Sequence, residues 1–161
     1  MPGSRSLVLL VDNDVEARHR VRHLLELRGM EVVQASNGVA ALELIQRLPQ
    51  SFRLVLTDLD LPGIPGPAVI EALRLFRPDL TVLCMAATRV VAGVEMKGRL
   101  SKPLQSDELE AALEEGASDW EPQAVGGVPE PAAARARARF AEVGDLVEAA
   151  LELSRGMTGQ A

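Results

Sequence analysis

Short, unbroken apolar runs separated by stretches of helical periodicity constrain this chain more than any other feature. Residues 6–11 (SLVLLV) are the first such run, too short for a self-burying helix and suited to a strand covered on both faces. Asp14 then stands where it can cap a helix on which Val15, Val21, Leu24 and Leu25 share one face, and Gly29 ends it. Residues 31–35 (EVVQA) read as a second strand. Asn37 caps a helix carrying Ala41, Leu42, Ile45 and Leu48, which Pro49 stops.

The pattern continues. Residues 53–57 (RLVLT) make a third strand with Asp58 at its C-terminal end, followed by a Pro- and Gly-dense loop through Gly66 and a helix over roughly 67–76. Residues 80–85 (LTVLCM) are a fourth strand. Residues 99–101 read as a short fifth strand before Lys102-Pro103, and 105–115 as a helix capped by Ser106 or Asp107. Strands alternating with helices at this spacing predict an α/β fold with a parallel sheet covered on both faces. Ligands of such sheets bind outside the carboxyl ends of the strands. Asp12, Asp14, Asp58, Asp60 and Lys102 all follow strand ends.

After Gly116 the composition shifts. Residues 117–131 hold three Pro and two Gly and read as a linker, dividing the chain into a folded domain at 1–116, this linker, and a C-terminal amphipathic helix and tail at 132–161. The helix is expected over 132–155, with Phe140, Val143, Val147, Ala150 and Leu151 on one side. That stripe needs a cover: its own domain, a second copy in a homodimer, or a partner protein. Arg135, Arg137 and Arg139 at its start oppose the helix dipole and are expected either in solvent or beside an acidic group.

Composition narrows the function. With 17 Lys+Arg against 23 Asp+Glu, net charge −6 and 2% aromatic residues, the chain lacks the basic surface and stacking platforms of a nucleic-acid binder. No run approaches the about 18 apolar residues of a membrane span, and the single Cys84 cannot form an internal disulfide, so a cytoplasmic location is expected. His19 and His23, four apart among arginines, read as a solvated face, and Cys84 as an inert buried thiol.

Carboxylates at the ends of adjacent parallel strands concentrate negative charge that favours a hard divalent cation, and Mg²⁺ with its waters suits such oxygens. One carboxylate can then attack phosphorus, while a lysine at a third strand end pairs with a phosphate oxygen. The segments LVLLVDND (7–14), LVLTDLDLPG (54–63) and SKPL (101–104) together resemble the receiver domain of two-component response regulators over residues 6–115. The resemblance implies a flavodoxin-like fold with a five-stranded parallel sheet in the order 2-1-3-4-5. It also implies Asp58 as phosphoacceptor and Lys102 as the phosphoryl contact. Mg²⁺ would be held by Asp12, Asn13, Asp58 and the backbone carbonyl of Asp60. A histidine kinase or phosphotransfer protein would be the donor, and output would run through protein–protein contact.

Four departures stand against that pattern. Asn13 replaces the second acid of the usual pair, leaving Asp14 or the Asp60 side chain to make up the charge. Ala86 stands where a Ser or Thr is expected, with Thr88 two residues on as a substitute hydroxyl, and Arg99 stands where the switch aromatic is expected. The stretch from Ala86 to Lys102 is too short for a full fourth helix, so a shortened one is expected, with the C-terminal helix shielding the fourth and fifth strands in its place. Two other readings stay open. A degenerate receiver could serve as a phosphorylation-independent adaptor. Asp58-Leu59-Asp60 also resembles the opening motif of haloacid-dehalogenase-like phosphatases, although that family carries it on the first strand.

Overall fold

β1 (Leu7–Val11), β2 (Glu31–Ala35), β3 (Phe52–Asp58) and β4 (Thr81–Ala86) form the body of a parallel sheet in the order 2-1-3-4. Between them run α1 (Val15–Glu26), α2 (Gly38–Arg47) and α3 (Gly66–Phe76). β5 (Val90–Val91), β6 (Val94–Glu95), β7 (Leu100–Ser101), α4 (Ser106–Glu115) and α5 (Leu146–Met157) complete the order. This computed structural model describes residues 7–48, 51–77, 79–86, 90–91, 94–95, 100–101, 104–115, 134–135 and 146–157.

The unbroken apolar runs have a simple cause. Along β1, Val8 and Leu10 face one core with Leu54 and Leu56 of β3, α1 and α4. Leu9 and Val11 face the other, with Val55, α2 and α3. Successive side chains alternate across a sheet buried on both sides, so no position is left for a polar residue. Helix entries follow local chemistry: Asp14 Oδ1 accepts from the N–H of Glu16 at 3.0 Å, and Asn37 Oδ1 from that of Ala40 at 2.8 Å. Gly29, at φ 80°, leaves α1 in the left-handed region that glycine tolerates.

The edge beyond β4 differs from expectation. Within the short fifth strand predicted at 99–101, Leu100 and Ser101 pair with β4, opposite Met85 and Ala86. Where a shortened fourth helix was predicted, the described residues instead form a two-strand antiparallel ladder, Val90 with Glu95 and Val91 with Val94. The β-branched Val90, Val91 and Val94 favour a strand ladder over a helix.

α3 is buried nearly all round, from Gly66 through Ile70 and again at Ala72 and Leu73. The sheet covers one side and α5 the other. α5 packs chiefly on α3 and then on α2, through Leu146, Ala149, Ala150 and Leu153, all fully buried. The spacing i, i+3, i+4, i+7 is one helical face. The expectation that this helix shields the fourth and fifth strands is thereby corrected. Its stripe is also rotated: Val147 and Leu151 are only partly buried, while Phe140 and Val143 lie outside the described residues. Of the helix predicted over 132–155, the described part that packs on the domain is α5, and the rest lies largely outside the described residues.

Two polar ties hold α5. Gln46 of α2 accepts from the backbone N–H of Leu146 at 2.8 Å, satisfying a donor that the first helical turn leaves orphaned. Glu152 accepts from Arg135 at 3.2 Å and pairs with Arg155 at 3.1 Å, so Arg135 has its acidic partner. Arg137, Arg139 and the predicted linker at 117–131 lie outside the described residues. Among buried groups, Glu71 of α3 stands out: its Oε1 has no hydrogen-bond partner among the described residues. Burial pushes its carboxyl above the usual range, with Arg74 pulling partly the other way.

Candidate functional site at the sheet edge

β1 and β3 are neighbours in a register that sets Val11 opposite Thr57. The next residues, Asp12 just past β1 and Asp58 at the end of β3, therefore stand side by side at the C-terminal edge of the sheet. Both are buried, at 1% and 4% exposure, and buried carboxylates require compensation. Each receives the same local bond. Asp12 Oδ1 accepts from the N–H of Asp14 at 2.9 Å, and Asp58 Oδ1 from the N–H of Asp60 at 3.0 Å. Both are Asx turns, in which a strand-end aspartate folds the following loop around its own side chain.

Asn13, Asp14 and Asp60 are exposed. Asp14 Oδ1 accepts from the N–H groups of Glu16 and Ala17, at 3.0 and 3.4 Å, and so caps α1. Lys102, Pro103 and Thr88 lie outside the described residues. The edge thus brings Asp12 and Asp58 together, with Asn13 and Asp60 beside them in the same two loops.

Three contributors were not legible as site residues. Arg18, noted only as a neighbour of the histidines, donates from Nη1 to the carbonyl of Asp12 at 2.7 Å and from Nε to Oε1 of Gln34 at 3.2 Å. It fixes the backbone of Asp12 against β2. The fully buried Thr57 donates its hydroxyl to the carbonyl of Asp58 at 3.0 Å. Gly66 packs against the backbone of Leu59: a Cβ there would stand 2.6 Å from Leu59 Cα and 2.8 Å from its carbonyl carbon. Leu59 is itself buried and donates its N–H to the carbonyl of Met85 at 2.9 Å. The loop after Asp58 is therefore pinned from two sides.

The donors offered here are oxygens: two carboxylates, the Asn13 amide and the Asp60 carbonyl. No group of three His, Cys, Asp or Glu suited to a metal occurs among the described residues. Mg²⁺ needs only one or two carboxylates and keeps water in its other positions, so this set fits it and suits a soft, sulfur-seeking metal poorly.

Residues 8–114 match the family described as Response regulator receiver domain. The chain is 37% identical over 116 residues to a transcriptional regulatory protein, CpxR homolog, of Haemophilus influenzae, covering 67% of this chain and 48% of that protein. It spans, that is, about half the length of that relative. To sporulation initiation phosphotransferase F of Bacillus subtilis it is 24% identical over 112 residues, covering 66% of this chain and 89% of that one. The signal receiver domain of an HD domain-containing protein from Pseudomonas fluorescens Pf-5 superposes with TM-score 0.62 at 25% identity, covering 70% of this chain and 94% of that one. No helix among the described residues is long and apolar enough to cross a membrane.

Proposed function

This chain belongs to the response regulator receiver domain family, and from that premise we propose that Asp58 accepts a phosphoryl group from a histidine kinase or phosphotransfer protein, with output through protein–protein contact. The observation that carries the reading is the pair of buried carboxylates, Asp12 and Asp58, at adjacent strand ends. A carboxylate oxygen of Asp58 attacks phosphorus in line. A P–O bond forms, the donor's P–N bond breaks, and the imidazole leaves with the electron pair and takes up a proton. The bond from the Asp60 N–H holds the carboxylate in one orientation, and Arg18 keeps Asp12 from swinging away. Asp12, Asn13, Asp58 and the Asp60 carbonyl would hold Mg²⁺, which when bound would supply charge to offset the incoming phosphoryl oxygens. Lys102 contacts those oxygens, and Thr88 is the substitute hydroxyl. The receiver spans 1–116, ahead of a linker at 117–131 and a C-terminal segment at 132–161.

A second reading draws on the short antiparallel ladder at 90–95 and on Ala86 and Arg99, where the family's usual switch would sit. Under it the domain is a phosphorylation-independent adaptor. The phosphatase reading loses its footing because Asp58 ends the third strand rather than the first. Incubation with Mg²⁺ and acetyl phosphate, read by intact mass, tests the proposal. A phosphoryl adduct that disappears in Asp58→Asn supports it. An unmodified wild type favours the adaptor.

A further inference from the structure

With Ala86 and Arg99 at the usual switch positions, a signal at Asp58 needs another way out, and close contacts lead toward α3. The Asp60 N–H bonded to Asp58 Oδ1 and the Leu59 carbonyl belong to one peptide group, so that group follows the carboxylate while the Leu59 N–H stays on the Met85 carbonyl. Leu59 in turn touches Gly66, the first residue of α3, backbone to backbone with no room for a methyl group. Flexible side chains can absorb a displacement; two backbones in contact cannot. α2 also touches α3 closely, since a Cβ on Gly38 would stand 2.7 Å from Val69 Cγ2. α5 bridges the seam, tied to α2 through Gln46 and packed chiefly on α3.

We propose that phosphorylation of Asp58 is read out through the Leu59–Gly66 contact and α3 as a loosening of α5 on the α2–α3 seam. The inference rests on Asp58 being the phosphoacceptor. Forming the acyl phosphate turns one carboxylate oxygen into the bridging atom and leaves the other an uncharged carbonyl, a weaker acceptor for the Asp60 N–H. The loop at 59–60 relaxes, and α3 moves with it as a body. α2 rests on β1 and β2 as well, and its contact with α3 at Gly38 runs through the Val69 side chain, which can yield, so an element fastened to both helices loses its fit.

Hydrogen exchange of residues 146–157 in the full chain, with and without Mg²⁺ and beryllofluoride, tests this. Exchange in α5 should quicken about fivefold or more on addition, the lower end of ordinary coupling, and stay unchanged in Asp58→Asn. Coupling is reciprocal, so Leu153→Ala, or the milder Gln46→Ala should the first misfold, should bind beryllofluoride correspondingly more tightly. Acetyl phosphate labelling of Asp58 together with an α5 indifferent to beryllofluoride would overturn the inference and leave the phosphoacceptor intact. Absence of both labelling and response would overturn the two together.

Discussion

Gly66 meets the backbone of Leu59 so closely that no other residue fits: a Cβ would stand 2.6 Å from Leu59 Cα. The obstructing atoms are backbone, which cannot rotate aside. Gly66→Ala should therefore cost about 1–3 kcal/mol, as overpacking does. It should also slow acetyl phosphate labelling of Asp58, because displacing Leu59 shifts the peptide whose Asp60 N–H orients the Asp58 carboxylate. Urea denaturation and labelling rates check the two effects separately.

Asn13 is exposed and uncharged, next to the buried Asp12. Asn13→Asp adds a full charge in a wet setting, where a unit charge about 4 Å from a divalent ion is worth about 2 kcal/mol. Mg²⁺ affinity should rise on the order of thirtyfold, and Asp12→Asn should lower it. Calorimetric titration with Mg²⁺ measures both.

Glu71 gives a pH signature. Burial raises its carboxyl above the ordinary value of 4.5, so the folded state binds the proton more tightly than the unfolded one. Its contribution is thus most favourable below 4.5 and is lost as pH rises through the elevated value. Glu71→Gln should stabilise the protein at pH 7 and flatten stability across that window. Urea midpoints compared from the ordinary carboxylate range up to neutrality would show it.

Leu153 is fully buried between α5 and the helices beneath it. Leu153→Ala should cost about 2–5 kcal/mol if α5 unfolds together with the domain. Gln46→Ala removes only a capping acceptor and should cost about 1 kcal/mol. A biphasic melt in either variant would mean that α5 comes off separately.

The sheet body was legible because burial on both faces leaves an unmistakable mark: Leu7–Val11 and Leu54–Leu56 admit no polar residue. The Asp14 and Asn37 caps were legible for a local reason, a short side chain bonding its own neighbours. What escaped reading depends on distant partners. Arg18 looks like any surface arginine until β2 brings Gln34 beside it. Gly66 looks like a loop glycine until α3 is laid against Leu59. The rotation of the α5 stripe escaped because the face that packs is chosen by distant partners, among them Gln46, a hundred positions away in the sequence.

β3 is flanked along its length, by β1 on one side and β4 on the other, and Asp58 is its last residue. Asp58, the proposed phosphoacceptor, is thus mounted on the part of the molecule expected to open last. Peripheral elements can fray or detach while its carboxylate stays presented, so a partly opened domain would keep the capacity to be labelled. Conformational readout should fail at lower denaturant than the capacity to be labelled.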